Sequence, residues 1–157
     1  MTPQEFAQRL NYLYAATMMQ DMQMLHAGEG RARGRVEFKP HLRQLTGLFH
    51  AGVIIGLADT TATAAAMWEV NSDVEPDGEF RPELFPLSIQ VSTNLIRNTG
   101  CGALTADAEL VHRGKSTIVA DVRVSDDQSR LVAKVTVTLL VPKAPRNHRS
   151  VASSFQR

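Results

Sequence analysis

The spacing of apolar residues changes along the chain, and each change marks an element. Phe6, Leu10, Leu13, Tyr14, Met18, Met22 and Leu25 recur at three- and four-residue steps, the period of one helix face. Thr2-Pro3-Gln4-Glu5 provides its start, with Thr2 as cap, Pro3 at the first helical position and Glu5 closing a capping box. The pattern predicts a helix over residues 3–26, ended by the glycines of AGEGRARG at 27–34. RVEF at 35–38 alternates and reads as a short strand. KPHLRQLTG is a Pro- and Gly-marked connection, and the Ala-rich run behind it predicts a second helix from 51 to 69. Residues 71–86 are acidic and rich in turn formers, an exposed loop that reads as a surface insertion, a lid or a subunit contact. Four strands follow, at 87–97, 103–114, 115–126 and 130–142, separated by short turns. Alternation is plainest at Ile118, Ala120, Val122, Val124 and at Leu131, Ala133, Val135, Val137. The basic, polar tail at 143–157 is expected to be loosely held.

A sheet with one apolar face must cover it. The second helix is the natural cover. Gly56, Ala58, Ala62, Ala64, Ala65 and Ala66 make it thin enough for a strongly curved sheet to close around it. The expected class is therefore α+β: a curved antiparallel sheet wrapped around a central Ala-rich helix, with an extra N-terminal helix. The chain divides into residues 1–34 (N-terminal helix and linker), 35–142 (the helix-and-sheet domain) and 143–157 (tail).

Composition narrows the function classes. Seventeen Lys and Arg against sixteen Asp and Glu leave a net charge of +1, without the basic face of a nucleic-acid binder. No run of 18 apolar residues suggests a membrane span, and the first residues lack the order of a signal peptide. The one cysteine, Cys101, sits between two glycines and reads as a turn residue; it fits a reducing cytoplasm. The five histidines show no metal-ligand spacing, so no metal is expected.

Candidate chemistry centres on the second helix. If it starts near Ala51, its first N–H groups lack intrahelical acceptors and carry the positive end of the helix dipole. Such an end polarises a carbonyl whose oxygen becomes negative in a transition state. His50 shapes that end, and Gln44 lies just upstream with an amide to donate. Asp59, an acid within an apolar helix, stands eight residues beyond Ala51, about 12 Å along the axis and turned far around it. It cannot act on a carbonyl held at its own helix start. It can act on one held by a second copy, if two central helices pack antiparallel. A carboxylate beside a polarised carbonyl suits hydrolytic acyl transfer, as general base or as nucleophile. Thr63, four residues on, shares the helix face of Asp59.

HLRQLTGLFHAGVIIGLADTTATAAA followed by four strands resembles the hotdog-fold acyl-CoA thioesterases of the phenylacetate-pathway and 4-hydroxybenzoyl-CoA thioesterase type. The resemblance covers residues 35–142. It rests on Gln44, GLFHAG at 47–52 and LAD at 57–59, against an Asn or Gln, a G-x-x-H-G-G-like turn and L-A-D or L-A-E in the family. It implies that Gln44 positions the thioester or water, that the Ala51 amide polarises the carbonyl, and that Asp59 of the neighbouring subunit is nucleophile or base. Thr63 and Ser88 match supporting hydroxyl positions. Arg97, His112, Arg113 and Lys115 lie where relatives hold the nucleotide of coenzyme A, which is part of the substrate rather than a cofactor. Ala51 departs from the usual Gly, which keeps the donor but adds a methyl. The resemblance also implies a homodimer or homotetramer. The acyl pocket is expected to be lined by Leu48, Phe49, Val53, Ile54 and Met67. Two other functions suit the same fold: hydration or dehydration of an acyl thioester, and non-catalytic binding of acyl-CoA.

Overall fold

The computed structural model describes residues 1–71 and 81–141. Helix α1 (Pro3–Tyr14) is followed by strands β1 (Met22–Gly28) and β2 (Arg31–Glu37), helix α2 (Ala51–Asn71), and strands β3 (Leu87–Leu95), β4 (Ala103–Arg113), β5 (Thr117–Asp126) and β6 (Leu131–Leu140). All six strands form one sheet in the order β1-β2-β4-β5-β6-β3, antiparallel at every pairing. The expected α+β class, with a curved sheet around the Ala-rich helix and an additional N-terminal helix, is the observed one. Most of the 71–86 loop and the tail beyond Val141 lie outside the described residues. The far end of that loop returns to α2 where the Arg81 amide donates to the Asn71 side chain.

The core is a contact between small residues. Ala58, Ala62, Ala64, Ala65 and Ala66 of α2 are fully buried, as are Ala106, Ala120, Val122 and Val124 on the facing sheet. Small side chains on both surfaces bring helix and sheet close, and close approach maximises dispersion contacts. Gly34 takes this furthest. A Cβ there would lie 2.5 Å from Thr61 Oγ1 and 2.5 Å from Met22 Cε. By length and hydropathy α2 also meets the description of a membrane span; its burial within the sheet accounts for that composition.

The N-terminal region differs from the expectation. The helix predicted over 3–26 stops at Tyr14, whose carbonyl accepts the amide and hydroxyl of Thr17 at 2.9 and 2.8 Å and turns the chain. Met22 satisfies a helical spacing from Met18, yet Met22 and Met24 are inward positions of β1, while Met18 itself is exposed. The predicted loop at 27–34 is in fact a hairpin. Glu29 and Gly30 both have positive φ (55° and 76°), the backbone of a type I′ turn. β2 begins at Arg31, and RVEF is only its second half. Ala32 and Gly34 hid its alternation, because the inward face there has no room for larger residues.

The C-terminal strands match the reading within two residues at each end, and α2 extends two residues beyond it. Their connectivity is less simple. β3 does not pair with its successor β4; it crosses the sheet and pairs with β6. The NTGCG segment carries the chain past the start of α2, where Phe49 N–H donates to Thr99 O and Asn98 Nδ2 donates to Phe49 O. β3 is thereby an edge strand. The opposite edge, β1, is covered by α1, held through the two bonds between the Asn11 side chain and the Met24 backbone. Among the described residues β3 has no such cover, and it exposes Leu87, Ile89 and Val91.

Candidate functional site

α2 starts at Ala51, as its sequence predicts. His50 caps it: Nδ1 accepts the Gly52 amide at 2.9 Å, and the His50 carbonyl accepts Val53 N–H at 2.9 Å. These bonds satisfy the second and third amides of the helix. The Ala51 amide takes no partner among the described residues. It remains a donor at the positive end of a 21-residue helix. Gln44 lies beside this end, but its Nε2 donates to Thr46 Oγ1 at 2.8 Å on the same loop.

Asp59 lies two turns further along α2, half-buried. Ser88 Oγ donates to its Oδ1 at 2.5 Å. The contact joins the central helix to the uncovered edge strand. A register shift between Ser88 and Gln90 sits at this point of β3, the kind of bulge that re-aims a side chain. Asp59, Thr63 and Ser88 line one open pocket of about 280 Å³, together with Tyr14, Met18, Met19 and Phe85. Of the residues singled out from sequence, these three come together. His50 lines a different cavity, of about 380 Å³, with Met22, Val36, Leu42, Val53 and Leu57. The turn that carries Met18 and Met19 borders both.

The expected acyl-pocket lining needs correction. Phe49, Ile54 and Met67 are core residues, with Phe49 stacked edge-on against Phe38 at 5.0 Å. Of the five residues, only Val53 lines either cavity. Tyr14 and Met18 were missed because the helical spacing assigned them to a continuous buried face, and Met19 lay outside that pattern.

The basic residues expected to hold a nucleotide do not form one group. Arg97 follows β3 at the sheet end that carries Leu131, and donates to the Leu131 carbonyl at 3.4 Å. His112, Arg113 and Lys115 are at the opposite end, in the β4–β5 turn, where Arg113 faces Glu69 at 3.8 Å and lies over Gly30. A ten-residue strand separates the two ends, roughly 30 Å at strand rise. Cys101 is exposed in its turn beside Thr99.

A curved antiparallel sheet wrapped around a small-residue central helix is the hotdog fold. Residues 46–133 match the Thioesterase superfamily, and the chain belongs to that family. A Mycobacterium tuberculosis protein that carries an esterase name is 30% identical over 118 residues, covering 75% of this chain and 79% of its own. The 1,4-dihydroxy-2-naphthoyl-CoA hydrolase of Listeria monocytogenes is 26% identical over 122 residues, 78% of this chain and 91% of that one. The PaaI protein of the E. coli phenylacetic acid degradation operon superposes with a TM-score of 0.73 at 20% identity, covering 92% of this chain and 98% of PaaI. Its relatives' names place the chain among esterases and thioesterases, and so among hydrolases.

Proposed function

We propose that this protein hydrolyses an acyl-CoA thioester to the free acid and coenzyme A, at sites shared between two copies of the chain. The observation that carries this reading is the Ser88–Asp59 contact, which holds the acid at the uncovered edge of the sheet. The unpartnered Ala51 amide lies about 12 Å away along the same helix, too far to serve the same carbonyl. A two-fold pairing of β3 edges would cover Leu87, Ile89 and Val91 and bring each Asp59 toward the other copy's helix start.

At such a site the thioester carbonyl oxygen accepts a hydrogen bond from the Ala51 amide, which stabilises the oxyanion of the tetrahedral intermediate. Asp59, fixed by Ser88, acts as general base. It takes a proton from water as the water oxygen bonds to the carbonyl carbon. The C–S bond then breaks with its electron pair on sulfur, and the proton passes from Asp59 to the thiolate. Thr63 lies beside the carboxylate, and Gln44 supports the turn that leads to the oxyanion donor. The reaction draws on no metal or cofactor of the protein's own. Arg113, His112 and Lys115 at one end of the sheet, and Arg97 at the other, offer cations for the phosphates of coenzyme A.

Complementation tests the shared site. Ala51→Pro removes one N–H at the first helical position, where proline is tolerated, so the helix should persist while the oxyanion donor is lost. Asp59→Asn removes the base. Each variant alone should lose turnover by about 10²-fold or more. Co-expressed, a mixed dimer holds one site with both parts intact, and thiol release from acyl-CoA should return to about half the wild-type rate per dimer. Mixed dimers as inactive as the single variants would place both groups within one chain and end the proposal.

A further inference from the structure

Met19 stands between two pockets that follow one another along α2. The first, of about 380 Å³, begins at the helix start, where His50 and Gly52 flank the Ala51 amide and line it. The second, of about 280 Å³, is the pocket of Asp59, Thr60 and Thr63. Gly52, Gly56, Thr60 and Thr63 recur at four- and three-residue steps, so they share one side of the helix. Gly56 therefore falls between the two pockets, and the Met19 side chain lies on it. A Cβ at Gly56 would stand 3.2 Å from Met19 Cε and 3.8 Å from its Sδ. Met19 is half-buried and lines both pockets; Met18 borders the same two but is largely exposed. The backbone of Met19 is held on both sides. Its amide donates to Thr17 Oγ1 at 3.1 Å, and its carbonyl accepts the Met22 amide at 2.9 Å.

The first pocket has the chemistry of an acyl site. Met22, Val36, Leu42, Val53 and Leu57 give it aliphatic and thioether walls. Its ionisable side chains among the described residues are already engaged. His50 accepts the Gly52 amide, and the Asp21 carboxylate is bonded to Lys39 and His41. A thioester whose carbonyl oxygen rests on the Ala51 amide has this pocket open beside it. Gly56 is five residues beyond Ala51, about 7.5 Å along the helix axis. An extended chain of roughly six carbons covers that distance.

We propose that Met19 is the end wall of the acyl pocket, and that the substrate carries an unbranched aliphatic acyl chain whose length this side chain limits. This rests on the hydrolytic reading above. Beyond Met19 lies the Asp59 pocket of the same chain, which in the paired arrangement serves the other site. The wall thus keeps the acyl chain of one site out of the next. A thioether is flexible and polarisable and fits itself to an irregular chain end. Glycine at position 56 leaves room for it to lie against the helix. Met19 determines specificity and takes no part in making or breaking bonds.

The test measures thiol release from straight-chain saturated acyl-CoAs of increasing length, and from benzoyl-CoA, by wild type, Met19→Ala, Met19→Leu and Asp59→Asn. In wild type, kcat/KM should rise by up to roughly fourfold per added methylene while the pocket fills, then fall beyond a limiting length. Met19→Ala takes the wall away, and the space it leaves should move that limit up by about two or three carbons. The preference for a chain two carbons past the wild-type limit over the limiting chain should rise about tenfold or more. Met19→Leu conserves the volume and should keep the wild-type limit. An unmoved limit in Met19→Ala, with Asp59→Asn inactive, would leave hydrolysis standing and remove the wall alone. So would an equal loss at every length together with a lowered Tm, the mark of a packing residue. Wild-type turnover of benzoyl-CoA and of no straight chain would overturn the proposal and leave hydrolysis standing. Undiminished turnover in Asp59→Asn would remove the parent reading and this one with it.

Discussion

Replacing Gly34 by alanine tests whether the distance between sheet and central helix is set by the absence of one methyl group. The new Cβ would lie 2.5 Å from Met22 Cε, 2.5 Å from Thr61 Oγ1 and 3.4 Å from Leu57 Cδ1. The Met22 terminus can swing aside at little cost. Thr61 cannot: it is fully buried, β-branched, and donates to the Leu57 carbonyl at 2.6 Å. Either α2 moves off the sheet or Thr61 changes rotamer and gives up that bond. Overpacking of this kind costs about 1–3 kcal/mol. Alanine also lowers the entropy of the unfolded chain relative to glycine, an offset of about 0.4–1 kcal/mol. The clash wins, and a net loss of about 0.5–2 kcal/mol corresponds to a Tm lower by roughly 1–8 °C for a chain of this size.

The effect should reach the chemistry. Thr61 is two residues from Asp59, so a displaced α2 draws the carboxylate from Ser88, and small misplacements of reacting groups are costly. Thermal unfolding and thiol-release kinetics on Gly34→Ala, Thr61→Ala and the double variant form a cycle. The Gly34 substitution should cost less in the Thr61→Ala background, by on the order of 1 kcal/mol, because the obstructing hydroxyl is gone. Equal cost in both backgrounds, or a Tm that does not fall, would refute the argument that Thr61 limits the approach.

Two further expectations concern single contacts. Ser88→Ala should leave stability within about 0.5 kcal/mol, because the serine is exposed, while lowering kcat roughly tenfold by releasing Asp59; an unchanged kcat would show that Asp59 does not depend on that bond. Hydrogen bonds from Lys39 and then from His41 hold the Asp21 carboxyl below the usual carboxylate range. A carboxyl depressed in the folded state stabilises it above the unfolded value of about 4, and that contribution disappears as pH falls through the folded value. The Tm gap between wild type and Asp21→Asn should be widest above about pH 5 and close under more acid conditions; a gap constant down to pH 2.5 would contradict the linkage.

The sequence by itself determined α2 and the four strands after it. Their periods are unambiguous: a long Ala-rich run can only be a thin buried helix, and alternation over ten residues at 117–126 and 131–140 fits only strands. It also determined the start of α2, since His50 and the small residues after it make a recognisable cap, and it singled out Asp59 as an acid out of place. Tertiary structure decided the rest. Met22 fits a helix and a strand equally well, and only the pairing with β2 chose between them. Ala32 and Gly34 carry no strand signal, because their inward face was shaped by the approach of α2 rather than by local preference. β3 left its neighbour for β6, which placed Ser88 against an aspartate 29 residues earlier in the chain. The same folding brought a tyrosine from α1 into the cavity beside that aspartate. Local periodicity records which face of an element is buried; which elements meet across the core depends on long-range packing that no short window of sequence contains.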